Sequence, residues 1–378
     1  MLFLVNMRRL LIPFIAALLA CVVSLPMLAE PTLPRGLQAV EVDNPANDAP
    51  PVVRPAPSAD SVSRAIVAQE RHTDALMKRP GIQGTAVGWG PDGEAVIKIY
   101  RSSAASAAGL PETIDGIPVV IEDVGKIYAQ YIPCADREEG SCGDLAASAD
   151  PEPGPREWQP RPVPIGVSAG HVDITAGTLG CRVTSGCHTY ALSNAHVFAD
   201  ENAGQVGDNI LQPGPYDGGI DPDDQIGLLH NSIPISFTSP NVVDAAIALT
   251  SDAMVGDSTL SNGYGRPRAA TISAVVSMDV MKYGRTTGMT HGYIDAINAN
   301  VWVEYSSDDA LFVNQIIIKP DTGPDFSRPG DSGALVVVDG GSNDRRPVGL
   351  LFAAGTGITV ANPIALVTTA LGVIIDGD

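Results

Sequence analysis

From Val163 almost to the C-terminus, short β-type runs alternate with Gly, Asn, Asp and Pro turns, and this rhythm most limits what the chain can fold into. Gly180–Val183, Tyr190–Ser193, Val243–Leu249, Thr271–Val280, Phe312–Ile318 and Ala334–Val338 are such runs. Regular short strands with turn punctuation predict an antiparallel barrel or sandwich. The tail breaks the rhythm. Asn362 is placed to cap, Pro363 to open, and Ile364, Val367 and Leu371 to bury one face of a closing helix.

The 378 residues allow about two domains. Arg8 and Arg9 precede an apolar run from Leu10 to about Leu28, the pattern of a secretory signal with cleavage after Ala29. Retention as a membrane anchor and an imperfect lipoprotein box at Leu18–Cys21 are the competing readings. Residues 30–59 are rich in Pro, Ala and Asp and read as a linker. Residues 60–131 read as a small α/β module. Asp60 is placed to cap a helix ending before Pro80, with Val62, Ile66, Thr73, Leu76 and Met77 on one face. A hairpin Gly81–Trp89/Glu94–Tyr100 turns at Gly90-Pro91-Asp92-Gly93, and a second hairpin is expected from Ile117–Ile121 and Lys126–Tyr131. Residues 132–162 form another Pro-rich linker, which Trp158 would dock on a neighbour.

The formal charge of −20 repels phosphate backbones and argues against a nucleic-acid partner. Of the five cysteines, Cys21 falls in the signal. The other four form two close pairs without CxxC spacing, Cys134/Cys142 and Cys181/Cys187. In an exported chain these are expected to be disulfides closing short loops, with free thiols as the other reading. The stretch Asp217-Gly218-Gly219-Ile220-Asp221-Pro222-Asp223-Asp224 offers calcium-type oxygens but fits no EF-hand spacing, so no metal and no cofactor are expected.

The chemistry centres on Pro329-Gly330-Asp331-Ser332-Gly333-Ala334, a serine between glycines just before an apolar strand. Open backbone N–H groups of Gly330 and Ser332 would suit an oxyanion. By itself the tetrapeptide is equally a glycine-rich turn, and a serine nucleophile needs a base and a group to orient that base. Among the six histidines, His196 stands at the end of a β-run in Ser193-Asn194-Ala195-His196, whereas His171 and His188 read as surface or hairpin residues and His291 as strand packing. Asp244, alone in the apolar run Val242–Leu249, is costly to bury without a donor, which His196 would supply.

The order His196, Asp244, Ser332, with these local motifs, resembles the chymotrypsin superfamily of serine proteases over residues 163–378. Tyr283-Gly284-Arg285-Thr286-Thr287-Gly288 is similar to a strand motif of its bacterial secreted branch, the α-lytic protease and streptogrisin type. The resemblance implies a mainly β fold of two six-stranded antiparallel barrels with a C-terminal helix, preceded by the small α/β module. It implies a monomeric, secreted or periplasmic serine endopeptidase acting on protein or peptide through His196, Asp244 and Ser332, with Gly330 and Ser332 as oxyanion donors. Arg285 is expected to pair with Asp331 and brace the oxyanion loop. Phe326, Phe352, Ala353 and Ala354 are the residues that the resemblance assigns to the S1 pocket. The module at 60–131 resembles a pro-region of that branch, with a permanently attached accessory domain as the alternative. Ala334 stands where relatives often have Gly, and no serine matches the one they carry on the strand Val348–Gly355. A non-catalytic binding protein that kept the fold and a serine esterase are the alternative functions.

Overall fold

In a computed structural model, residues 56–103, 109–130 and 153–378 are described. The signal-like run, Cys134 and Cys142 lie outside them. No helix among the described residues is long and apolar enough to cross a membrane.

The α/β module begins with α1 (Ala59–Met77), followed by β1 (Ile82–Trp89), β2 (Ala95–Arg101), β3 (Thr113–Ile114), β4 (Ile117–Asp123) and β5 (Tyr128–Ala129). Ser58, not Asp60, caps α1, its side chain accepting the Ser61 N–H at 3.2 Å. Ala65, Ala68, Leu76 and Met77 turn the helix's apolar face inward. β1 and β2 form the expected hairpin. The second hairpin does not form. β4 pairs parallel to β2, and β5 leaves the module to lie between two later strands. The physical reason is burial: Val124 and Ile127, which flank Gly125, are sunk in the main core and pull the chain away from β4.

The next stretch supplies β6 (Ser168–His171), β7 (Gly177–Thr178), β8 (Cys181–Ser185), β9 (His188–Ser193), a one-turn α2 (Ala195–Phe198), β10 (Asn209–Leu211), β11 (Gln225–Ser232) and β12 (Ala246–Thr250). Then follow β13 (Asp279–Gly284), β14 (Gly288–Glu304), β15 (Asp309–Pro320), β16 (Leu335–Val338), β17 (Pro347–Gly355), β18 (Ile358–Pro363), α3 (Ile364–Leu371) and β19 (Ile374–Ile375).

The mainly β, two-sheet architecture is as expected. β13-β16-β17-β18-β15-β14 pair in that order and β14 closes back on β13, a six-stranded antiparallel barrel. The other sheet runs β19-β8-β9-β12-β11-β10-β6-β7, so it has eight strands and borrows its edge from the C-terminus. The module is not a separate body. β1 pairs antiparallel with the long β14, so β1, β2, β4 and β3 extend the second barrel's sheet. Buried Lys98 on β2 meets Asp295 of β14 at 2.6 Å, and Gln69 of α1 bonds the Asn298 carbonyl at 3.0 Å. α3 buries Ile364, Val367 and Leu371 as its period predicts. Asn362 does not cap it; that side chain turns inward to the site described below.

The Cys181/Cys187 disulfide does not form, and both thiols are free. In the β8–β9 hairpin Ser185 faces His188, which puts Cys187 in the turn, while Cys181 lies opposite Leu192 at the far end of β8. Four residues of strand span about 13 Å, well beyond the roughly 7 Å limit on Cα separation in a disulfide. Trp158 is half exposed rather than docked. His171 is buried in β6 and bonded to Asp208 at 3.0 Å, not on the surface.

Candidate active site

β9 ends at Ser193, and α2 delivers His196 one turn later. Asp244 sits just ahead of β12, which pairs with β9, so the two side chains converge by sheet register. His196 Nδ1 and Asp244 Oδ2 are 2.5 Å apart, and both side chains are fully buried. The carboxylate is held by further donors. Ala195 N–H and His196 N–H donate to Oδ1 at 2.6 and 3.2 Å, and the Tyr305 hydroxyl donates to Oδ2 at 2.8 Å. Backbone is tied as well: Asn194 Nδ2 donates to the Asp244 carbonyl at 2.8 Å, and Asp244 N–H donates to Asn362 Oδ1 at 3.0 Å. Four donors on one buried carboxylate replace lost water and fix the imidazole's orientation. Burial, then the charge of Asp244, push the Tyr305 phenol well above its ordinary pKa, so it remains a proton donor. Its ring also meets that of His196 edge-on at 5.9 Å.

Tyr305 and Asn362 escaped sequence reasoning. Tyr305 lies past the end of β14 and reaches Asp244 only through tertiary packing, and Asn362 reads locally as a helix cap.

Ser332 lies on the loop before β16, fully buried and clamped between the sheets. From the first sheet, Thr178 N–H donates to the Ser332 carbonyl at 2.7 Å and Thr178 Oγ1 to the Gly330 carbonyl at 2.8 Å. Thr178 also accepts Ser193 Oγ at 2.8 Å, so one residue links the serine loop to the strand that leads to His196. From the barrel, Gly333 N–H donates to the Leu351 carbonyl at 2.9 Å, and Ser332 Oγ to the Phe352 carbonyl at 3.0 Å. Gly330 and Gly333 have φ of +97° and +94°, which only glycine adopts without strain, and both are closely hemmed in.

Asp331 is fully buried behind the serine, but Arg285 does not pair with it. Its carboxylate accepts N–H groups of Thr286, Thr287 and Arg328 at 2.8, 3.1 and 2.9 Å, and Thr287 Oγ1 at 2.7 Å. The cation near it is buried Lys282, 3.6 Å away. Burial lowers the Lys282 pKa, and Asp331 works against that shift. Arg285 instead makes a two-pronged pair with Asp217, through Nε at 2.7 Å and through Nη2. The physical reason is position. Lys282 lies within β13 and points into the barrel, whereas Arg285 falls just past its end, where strand alternation no longer directs it. Asp217, the first acid of the stretch 217–224, is thereby committed to a guanidinium.

Of the S1 candidates, Phe326 is buried inside the second barrel with Val280, Ile294 and Ile318, and Phe352 packs on Phe312 at 4.7 Å. Ala353 and Ala354 form the strand edge that receives β5, pairing with Ala129 and Tyr128. Beyond β5, Gln130 N–H donates to the Phe352 carbonyl at 3.0 Å, and the Gly330 N–H donates to the Gln130 carbonyl at 2.9 Å.

The fold and the site describe a mainly β, two-sheet protein with a His–Asp pair and a glycine-flanked serine where the sheets meet. A family model described as the Nal1 C-terminal domain matches residues 265–361. Among solved structures, the chain is similar to Thermobifida fusca protease A at 17% identity and a TM-score of 0.41, covering 57% of this chain and 99% of that one. A glutamic-acid-specific serine protease is similar at 20% identity and a TM-score of 0.41, covering 56% and 100%. Cellulomonas bogoriensis chymotrypsin is similar at 20% identity and a TM-score of 0.39, covering 57% and 99%. A search of curated proteins found no match.

Proposed function

We propose that the chain is a serine endopeptidase, exported by its N-terminal apolar run, that hydrolyses peptide bonds through an acyl-enzyme on Ser332. The observation that carries this reading is the buried 2.5 Å contact between His196 Nδ1 and Asp244 Oδ2, beside a serine loop that Thr178 ties to the same strand. Asp244 fixes the imidazole with Nδ1 toward the carboxylate, which leaves Nε2 to handle protons. His196 takes the hydroxyl proton as Ser332 Oγ attacks the carbonyl carbon. The N–H groups of Gly330 and Ser332 receive the developing oxyanion. His196 then protonates the leaving amine, and water, deprotonated by His196, releases the acyl group.

A serine-directed fluorophosphonate tests the reading. The expected result is labelling of the folded protein at Ser332, abolished in Ser332→Ala and His196→Ala. Absence of labelling in the wild type rejects catalysis and favours a binding protein. Turnover of ester but not peptide substrates by labelled protein favours an esterase.

A further inference from the structure

We infer that Glu201 is a positioning residue: by holding the turn between β14 and β15 it sets the Tyr305 hydroxyl on Asp244, and so governs how well His196 serves Ser332. The inference rests on the endopeptidase reading above and adds a residue remote from Ser332 on which the rate depends.

The turn belongs to the β14–β15 hairpin of the second barrel, yet its first residue works on the His–Asp pair of the other sheet. Glu304 pairs with Asp309, and Tyr305 N–H donates to the Asp308 carbonyl at 3.1 Å, so residues 305–308 are the tip of the hairpin. From that tip the Tyr305 ring packs edge-on to Phe237 at 6.2 Å and stacks on Phe312 at 6.0 Å. Its hydroxyl reaches Asp244 Oδ2, the same oxygen that faces His196 Nδ1. A carboxylate oxygen shared in this way is kept aimed at the imidazole; without the hydroxyl it is freer to rotate. A hydrogen bond weakens steeply with distance and angle, so a small movement of the tip is enough to lose it. Ser306, Ser307 and Asp308 are exposed, and exposed loop tips are the mobile part of a hairpin.

Glu201 anchors this tip. It is 7% exposed, and its carboxylate takes its donors from the turn: Ser306 N–H at 2.9 Å and Ser306 Oγ at 2.5 Å on Oε1, and Ser307 Oγ at 2.5 Å on Oε2. A buried carboxylate needs such donors in place of water, so it holds them firmly. The anchor has a fixed base. Glu201 follows α2, the helix that carries His196, and its neighbour Asn202 exchanges two 2.9 Å hydrogen bonds with the backbone of Ile235. Asp200 and Glu201 both hold left-handed φ, +45° and +57°, which costs energy in residues other than glycine. That backbone is what turns the Glu201 side chain toward the tip. One short segment thus carries the base and also the residue that holds the tyrosine donor against the base's carboxylate.

A brace that served stability alone would affect labelling independently of Tyr305. A residue that acts through the Tyr305 hydroxyl loses its effect once that hydroxyl is gone, which a double-mutant cycle detects.

The experiment compares fluorophosphonate labelling rates at Ser332 in the full chain, with urea unfolding in parallel to establish the folded fraction of each variant. Glu201→Ala and Tyr305→Phe are each expected to label about tenfold more slowly than wild type. Glu201→Ala combined with Tyr305→Phe is expected to be no slower than Tyr305→Phe alone. Glu201→Gln keeps an oxygen for Ser306 and places an amide against Ser307, and is expected to recover most of the lost rate. Losses that multiply in the combined variant overturn the inference, and so does a Glu201→Gln as slow as Glu201→Ala. If Glu201→Ala does not fold, Ser306→Ala with Ser307→Ala takes its place, both changes being at exposed positions; an unslowed rate there overturns the inference. Wild type that labels alongside an equally fast Glu201→Ala overturns this inference and leaves the endopeptidase reading standing. Wild type that does not label rejects the endopeptidase reading, and this inference with it.

Discussion

Arg285 and Asp217 form a buried, two-pronged ion pair that joins the end of β13 to the turn Pro215–Asp217 of the other sheet. The side chains are 2% and 7% exposed, and Tyr216 lies 5.4 Å from the guanidinium. Asp217 Oδ2 also accepts Ser168 Oγ at 2.5 Å, so the pair braces β6 as well. It is a clamp between the two sheets next to the serine loop.

Removing one partner leaves a buried charge unmatched. Asp217→Ala is expected to cost about 3–5 kcal/mol of unfolding free energy, and the double change Asp217→Leu with Arg285→Met to recover most of it. Urea unfolding of the wild type and the two variants checks this. A single-variant loss below about 1 kcal/mol means that the pair is solvated.

Tyr305 gives Asp244 a hydroxyl donor from within the core. A hydrogen bond to a charged group is worth about 1.5–3 kcal/mol, so Tyr305→Phe is expected to lose stability on that scale and to label more slowly at Ser332. Asp244→Asn is expected to be far more damaging, by about 10⁴ in the rate of acylation, because an amide favours the wrong imidazole tautomer. Labelling rates measured side by side separate the two; equal losses would mean that Tyr305 and Asp244 act as one unit.

The cysteines of the β8–β9 hairpin should behave oppositely. Cys187 is exposed, whereas Cys181 is buried and its thiol is pushed to a higher pKa by that burial. Iodoacetamide on the native protein is expected to modify Cys187 and to reach Cys181 only after unfolding. Peptide mapping decides the point, and a disulfide between them would protect both.

His291 on β14 bonds Asp339 at 2.6 Å, and chiefly this hydrogen bond raises its pKa above the ordinary 6.5. A raised histidine pKa means that the pair's contribution is complete below 6.5 and fades as pH rises through the folded-state value. The ring is 44% exposed, so the pair is worth under about 1 kcal/mol. The stability gap between wild type and His291→Gln should therefore shrink from pH 5.5 to pH 8. A gap that widened would reverse the assigned direction.

Local pattern alone determined a good deal of this protein. The strand-and-turn rhythm after Val163 predicts a mainly β fold, and the contexts of His196, Asp244 and Ser332 single them out, because a short run around each residue carries the information. The barrel closure of β13 on β14 and the fusion of β1 to β14 depend on pairings between distant segments, which no local run encodes. The same holds for charge. That Asp331 needs buried partners is legible from its neighbours, but whether Lys282 or Arg285 approaches it depends on where β13 stops. Cys181 and Cys187 look close in sequence and are held apart by the extended strand between them. Most of all, Gln130 reads as the end of an unremarkable hairpin. Only the tertiary structure, by burying Val124 and Ile127 and steering the chain off β4, brings the Gln130 carbonyl to the N–H of Gly330.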